Sequence, residues 1–184
     1  MPGESNPRCR PGYPAEGWVV RVNTNWHKIC VIGLGNTLMQ DDAIGVRTIE
    51  AIKARCGFEP RIDLLDGGTA ALDLLPVVQH YEKVLFVDAV DAGEPPGAIV
   101  IIEGDAIPSF LAAQVSVHHV GLSDLLFAAR MAGSLPAEIC LIGIQPESVD
   151  IGLEMTDIIK KRLDLLLTTV LERLQKWGVE PSQL

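Results

Sequence analysis

The stretch of sequence that decides the fold is KICVIGLGNTLMQDDAIGV, residues 28–46. Its first apolar run stops at Gly33 and Gly35, and the adjacent carboxylates Asp41 and Asp42 follow just before a helical pattern begins. This order predicts a strand, a turn and an acidic helix start. Parallel α/β domains bind their ligands outside the carboxyl ends of the strands, so we expect the carboxylate pair at a site of chemistry.

The rest of the chain alternates between strand and helix patterns. Strands are predicted at 28–33, 61–65, 83–89, 98–102 and 138–144, and helices at 43–56, 70–80, 118–132 and 153–177. The sequence therefore predicts an α/β fold with three α/β/α layers. Its twisted sheet has about five strands, mostly parallel, with helices on both faces.

Three details refine this prediction. Gly57 is expected to end the first helix, and Pro76 to kink or end the second. Only a short turn separates the strands at 83–89 and 98–102, so these two are predicted to pair antiparallel at one edge of the sheet.

Composition excludes several classes of protein. Of 184 residues, 48% are hydrophobic and 21% charged, which indicates a globular domain. A net charge of -9 argues against nucleic-acid binding. The sequence holds no apolar run near the roughly 20 residues that span a bilayer, so membrane insertion is not expected. Residues 1–27, rich in Pro, Gly and polar residues, are expected to form a flexible extension without a secretory signal, and residues 28–184 a single domain.

The cysteines indicate the compartment. Cys9, Cys30, Cys56 and Cys140 are scattered and form no CxxC pair, which argues against a structural zinc site. Two of them lie in apolar, strand-like runs, where a free thiol behaves as a small core residue. A reduced, cytoplasmic setting is therefore expected.

The glycine turn also resembles the start of a dinucleotide fingerprint, with Asp66 at the place of a ribose-binding acid. However, Leu38 stands where the third glycine is expected, and a pyrophosphate at the helix start would meet Asp41 and Asp42. The pair favours a cation or metal instead. The plainer alternative is that the two carboxylates cap the helix and offset its dipole.

Further candidate ligands follow other predicted strands. Asp66 and Asp88 end two of them and should reach the same edge of the sheet as Asp42, while His118 and His119 begin a predicted helix. Carboxylate and imidazole ligands suit a divalent metal such as nickel or zinc with one position open for substrate. HExxH and GxSxG motifs are both missing from the sequence, so a zincin-type or serine-hydrolase site is not indicated.

Five motifs in order resemble those of the nickel-iron hydrogenase maturation proteases. They are GLGNTLMQDDAIGVR (33–47), DGGTA (66–70), VDAVDAG (87–93), HHVGLSDLL (118–126) and GIQPE (143–147). The resemblance implies an endopeptidase that removes a C-terminal extension from the precursor of the hydrogenase large subunit after nickel delivery. The precursor is then the partner, met as a transient complex by a monomeric protease, and nickel arrives with it.

The resemblance also assigns residues. The family's catalytic and metal-contacting positions fall on Asp42, Asp88 and His118, and Asp66 with Gly67 and Gly68 matches a loop implicated in substrate recognition. Many relatives carry Glu at the first of these positions, where this chain has the shorter Asp. Two alternatives stay open: a dinucleotide-binding oxidoreductase, and a non-catalytic nickel-dependent hydrogenase chaperone.

Overall fold

The computed structural model describes residues 28–112 and 120–183. Two 3₁₀ turns, Gln40–Ala43 and Ala71–Leu74, precede the first two helices. In chain order the strands and helices are β1 Ile29–Leu34, α1 Ile44–Arg55, β2 Cys56–Glu59, β3 Asp63–Gly68, α2 Leu75–Val78, β4 Lys83–Ala89, β5 Ile99–Glu103, α3 Ala106–Ala112, α4 Val120–Met131, β6 Glu138–Ile144, α5 Asp157–Lys176 and β7 Glu180–Gln183.

A five-stranded sheet forms the middle layer, with strand order β3-β1-β4-β6-β5. β1 pairs parallel with both β3 and β4, and β6 pairs parallel with β4 and antiparallel with β5. The central strands β1, β4 and β6 are buried along almost their whole length, which explains their continuous apolar sequences. A separate two-stranded antiparallel sheet joins β2 to β7.

Helices cover both faces of this sheet, as the three-layer prediction requires. On one face α1 and α5 pack against alternate strand residues such as Leu85 and Ile142. On the other face α2, α3 and α4 pack against the intervening strand residues, such as Phe86 and Leu141. Successive residues of a strand point to opposite faces, so each central strand contributes to both cores. The predicted α/β/α fold is confirmed.

The direction of the chain reverses between β1 and β4. From β1 the chain runs through α1 on one face to β3, and it then returns through α2 on the other face to β4, on the far side of β1. Such a reversal opens a crevice at the carboxyl ends of the two adjacent strands, where doubly wound folds bind their ligands.

Two glycines let α1 and the turn before it lie directly against strand backbone. A methyl group on Gly45 would lie 2.2 Å from the carbonyl oxygen of Leu34 and 2.3 Å from that of Val87. Gly35 has φ of +120°, and a methyl group there would lie 1.7 Å from the carbonyl oxygen of Asp42. The turn that carries Asp42 is therefore held against the sheet by main-chain contacts.

Two details of the strand prediction and one helix end are wrong. β5 lies at the sheet edge as expected, but its antiparallel partner is β6, not β4, because β6 lies between them. The strand predicted at 61–65 lies at Asp63–Gly68, so Asp66, Gly67 and Gly68 belong to the strand itself. Gly57 does not end α1, because the chain is already extended at Cys56 and enters β2.

The helix predictions also need correction. The helix predicted at 70–80 is a 3₁₀ turn followed by the short α2, with Pro76 in its first turn, where its missing N–H costs nothing. The helix predicted from residue 153 begins at Asp157, and α3, β2 and β7 were not predicted. No helix in the described ranges is long and apolar enough to cross a membrane.

Candidate active site

Asp42 is held at the carboxyl end of β1 by a tight turn. Its backbone N–H donates to the carbonyl oxygen of Met39 at 2.9 Å, within the sequence that leads into α1. Its side-chain Oδ2 accepts the backbone N–H of Asn36 at 2.7 Å, and only 6% of the residue is exposed. The second carboxylate of the DD pair therefore points back toward the glycine turn.

Asp88 reaches the same place from the next strand. It is the second-last residue of β4, is 8% exposed, and its Oδ1 accepts the N–H of Ala89 at 2.8 Å. Burial, followed by the negative charge of Asp42, raises the pKa of Asp88 well above its ordinary value of 3.8. The fold thus holds a carboxyl group where ionisation is costly, an arrangement typical of functional sites.

The two carboxylates line one cleft of about 220 Å³ at the switch point between β1 and β4. Within the described ranges, Asp42 Oδ1 and Asp88 Oδ2 have no hydrogen-bond partner, so each carboxylate keeps one oxygen for a ligand. Two adjacent, poorly solvated carboxylates favour a cation between them, because a cation offsets both burial and mutual repulsion. The other lining residues are Leu34, Gly35, Gly68, Thr69, Ala71, Gly121 and Leu122.

The predicted recognition residues divide between the cleft and its surroundings. Asp66 pairs with Gly33 in the sheet register, and its Oδ1 accepts the N–H of Gly68 at 2.9 Å. The register shifts at Gly67, and this bulge brings Gly68, with φ of +46°, into the cleft wall. Asp66 itself is exposed and is not one of the lining residues.

His118 and His119 lie outside the described residues. The described chain resumes at Val120, and Gly121 and Leu122 already line the cleft beside Ala71. Over residues 28–112 and 120–183, no three His, Cys, Asp or Glu side chains come together to hold a metal. Among these residues the donor set of the cleft is therefore the carboxylate pair alone.

Asp41 does not cap the helix as the plainer alternative required. It is fully buried, and no side-chain cap hydrogen bond forms at either the 3₁₀ turn or α1. Its Oδ2 accepts the backbone N–H of Glu147 at 2.9 Å, the N–H of Ser148 at 3.0 Å and the hydroxyl of Thr156 at 2.9 Å. Its Oδ1 accepts the N–H of Thr156 at 2.7 Å.

The two acids of the DD pair thus have separate tasks: Asp42 faces the cleft, and Asp41 fixes the segment 147–156. The sequence alone does not assign separate roles to Asp41 and Asp42. The available signal was that a helix start needs one capping carboxylate and this chain has two. The backbone N–H of Asn36 donates to Asp42, but the sequence shows Asn36 only as one residue of the motif at 33–47.

A larger cavity of about 320 Å³ lies at the other end of the sheet, between α3, α4 and the start of β6. Its walls are mainly apolar, and its charged side chains, Asp105 and Arg130, form an ion pair with each other. The two charges of this cavity offset each other, so the smaller cleft with its carboxylate pair is the better candidate for chemistry.

Comparison with known proteins shows the family of this chain. The model of the hydrogenase maturation protease family matches residues 46–173. The hydrogenase expression/formation protein HoxM of Cupriavidus necator is 37% identical over 155 residues, covering 83% of this chain and 77% of its own.

Solved structures give the same answer. The hydrogenase maturating endopeptidase HybD from E. coli superposes with a TM-score of 0.80 at 33% identity, covering 85% of this chain and 97% of its own. The NiFe hydrogenase maturation protease HybD from Thermococcus kodakarensis superposes with a TM-score of 0.66 at 28% identity, covering 80% and 98%. This chain belongs to the hydrogenase maturation protease family and is a peptidase.

Proposed function

We propose that this protein is the endopeptidase that removes the C-terminal extension from the nickel-loaded precursor of a nickel-iron hydrogenase large subunit. The observation that carries the proposal is the pair of buried carboxylates, Asp42 and Asp88, facing one cleft in a chain of this family. The name of the relative from Thermococcus kodakarensis refers to a NiFe hydrogenase, which supports the same class of substrate.

Nickel belongs to the substrate in this proposal, since the precursor already holds the ion when it arrives. Asp42 and Asp88 each have one free oxygen in the described part of the chain, and carboxylate oxygen with imidazole nitrogen suits a divalent first-row ion. We assign the third contact to His118, two residues before α4 begins. The three side chains then recognise the ion and place the attached peptide beside them, so an empty precursor is not cut.

The cleft fits a peptide tail better than a nucleotide. Its volume of about 220 Å³ is below the roughly 300–1,000 Å³ of typical cofactor pockets. The carboxylates of Asp42 and Asp88 would also repel a pyrophosphate bound at the turn before α1. These observations argue against the dinucleotide-binding oxidoreductase.

Mass spectrometry separates the protease from the chaperone. A purified nickel-loaded precursor incubated with this protein should lose a C-terminal fragment, whereas the same precursor without nickel should keep its full mass. An unchanged mass of the nickel-loaded precursor, together with stable binding, would favour the non-catalytic chaperone and overturn the proposal.

The residue assignment has its own test. Asp88→Ala and His118→Ala should each leave a folded protein that no longer processes nickel-loaded precursor. Matched controls are Asp105→Ala, an exposed acid at the far end of the sheet, and His80→Ala, an exposed histidine after α2. Normal processing by both site variants would refute the assignment.

Gly68 in the cleft wall supports a recognition role for the segment Asp66–Gly67–Gly68, since the extended precursor tail would pass beside it. We further propose that the protein acts in the cytoplasm as a monomer in transient complex with the precursor. The free thiols of Cys30 and Cys140 fit a reducing compartment. Residues 1–27 are proposed to be an extension dispensable to the domain at 28–184, so deleting residues 1–23 should leave cleavage intact.

A further inference from the structure

Three large apolar side chains are exposed on two neighbouring segments, one of which leads to Asp42. Leu38 is 59% exposed, Ile151 is 91% exposed and Leu153 is 67% exposed. We call these three residues the rim patch. Single exposed apolar residues are common on protein surfaces, but a contiguous group of them with a polar border is a candidate interaction site.

The backbone under the rim patch is fixed. Met39 and Gly152 form a parallel β-bridge, in which Gly152 N–H donates to the carbonyl oxygen of Leu38 at 2.9 Å and Gln40 N–H donates to that of Gly152 at 2.8 Å. Asp41 holds the same segment at both ends, through the four hydrogen bonds described above. The patch is therefore ordered before any partner binds, which lowers the entropy cost of binding.

The rim patch is continuous with the cleft. The N–H of Leu38 donates to Asn36 Oδ1 at 3.0 Å, and the N–H of Asn36 donates to Asp42 Oδ2 at 2.7 Å. One short turn therefore carries an exposed apolar side chain at one end and the support of the cleft carboxylate at the other. The rim patch and the cleft carboxylate are therefore linked through the same turn, within reach of one bound protein.

The segment that carries Ile151 and Leu153 is acidic. Residues 147–157 contain Glu147, Asp150, Glu154 and Asp157 and no Lys or Arg. Two cations lie near this segment, and both are in ion pairs: Lys160 with Glu154 at 2.7 Å and Arg47 with Glu50 at 2.9 Å. An apolar centre with an acidic border is complementary to an apolar segment flanked by basic side chains.

We propose that the rim patch is the docking surface for the hydrogenase precursor, taking an apolar segment of the precursor that is flanked by Lys or Arg. This inference rests on the proposed function and adds a second point of contact to it. The cleft binds the ion and the C-terminal tail of the precursor, and the rim patch binds the body of the same precursor.

The test is steady-state cleavage of nickel-loaded precursor by the double variant Ile151→Ser/Leu153→Ser. Because both side chains are exposed, the variant should melt at the same temperature as the wild-type protein. Loss of two apolar contacts should raise KM at least about tenfold and leave kcat unchanged. The matched control is Phe127→Ser/Met131→Ser on α4, with side chains 67% and 73% exposed, and its KM should not change.

The acidic border is tested by Glu147→Lys, since only the backbone N–H of Glu147 contacts Asp41. KM should rise at low ionic strength, and the difference from wild type should shrink as salt is added. Glu172→Lys, an acid on α5, is the matched charge control.

The outcomes are distinguishable. If the wild-type protein fails to shorten the precursor, the proposed function is wrong. If the wild-type protein cleaves while Ile151→Ser/Leu153→Ser keeps an unchanged KM, or if the α4 control loses as much, the docking surface is wrong and the proposed function stands. A tenfold rise in KM confined to the patch variants supports the docking surface.

Discussion

Replacing Asp41 by Asn should separate a structural carboxylate from the reactive one beside it. Asn has almost the same shape as Asp, but it replaces one acceptor oxygen by a donor. Oδ2 of Asp41 accepts three hydrogen bonds and Oδ1 accepts one, from the N–H of Thr156. Whichever way the amide is turned, its NH₂ group faces an N–H donor, so part of the network is lost.

The magnitude follows from the number of bonds. Each hydrogen bond to a charged acceptor contributes about 1.5–3 kcal/mol, but the donors are only partly buried and water satisfies some of them after the change. The four bonds also act as one unit and do not add. We expect Asp41→Asn to lower the free energy of unfolding by about 3–5 kcal/mol, within a total of about 5–15 kcal/mol for a domain.

Urea unfolding followed by tryptophan fluorescence measures this loss, and hydrogen exchange locates it. The amides of Glu147, Ser148 and Thr156 should be protected in the wild-type protein and exchange rapidly in the variant, while those of β4 change only with global stability. Thr156→Val removes the hydroxyl bond alone and should cost about 1 kcal/mol. A loss below about 1 kcal/mol for Asp41→Asn, with the three amides still protected, would refute the role assigned to Asp41.

Three further predictions concern the site and the core. Asp88→Asn should stabilise the metal-free protein, because the raised pKa of Asp88 makes the folded state bind more protons than the unfolded state. In urea unfolding, the free energy of unfolding of the variant should equal that of the wild type below pH 3.8. Its excess over the wild type should grow as the pH rises toward the raised pKa and stay constant above it. A gain that shrinks with pH would contradict this. Gly35→Ala should cost at least about 3 kcal/mol by thermal melting, since its methyl group meets a carbonyl oxygen at a positive φ, and an unchanged melting temperature would count against that contact. Burial raises the pKa of Cys30 to about 12 and of Cys140 to about 11. At pH 8, iodoacetamide should therefore label neither thiol in the native protein but should label the half-buried Cys56. Peptide mass spectrometry that shows early modification of either buried thiol would contradict this.

Local sequence predicted the central strands well because burial on both faces produces a continuous apolar run. β4 and β6 lie at the residues expected from their sequences. The partner of β5 could not be found in this way, since strand pairing depends on which elements lie between in space. The short strands β2 and β7 lack an apolar pattern and were missed for that reason.

The start of α5 shows a second limit. The amphipathic pattern begins near residue 153, but the backbone of 147–156 is taken up by Asp41 and by the bridge to Met39, so the helix starts at Asp157. The positions of Asp42 and Asp88 at the ends of predicted strands indicated that the two side chains lie at the same edge of the sheet, and both line the same cleft. Asp66 also lies at this edge, paired with Gly33 near the end of β3, but the bulge that follows puts Gly68 in the cleft wall and leaves Asp66 outside it.

The contact of α1 with the sheet through Gly45 has a consequence for selectivity among ions. No side chain lies between this helix start and the carbonyl oxygens of Leu34 and Val87, so no rotamer change can absorb a displacement there. Val87 immediately precedes Asp88, and the turn of Asp42 immediately precedes α1. Main-chain contacts therefore fix the spacing of the two backbone positions that carry the carboxylates. If these carboxylates recognise the ion of the precursor, as proposed, a fixed spacing would favour ions of matching radius and coordination geometry over others of the same charge.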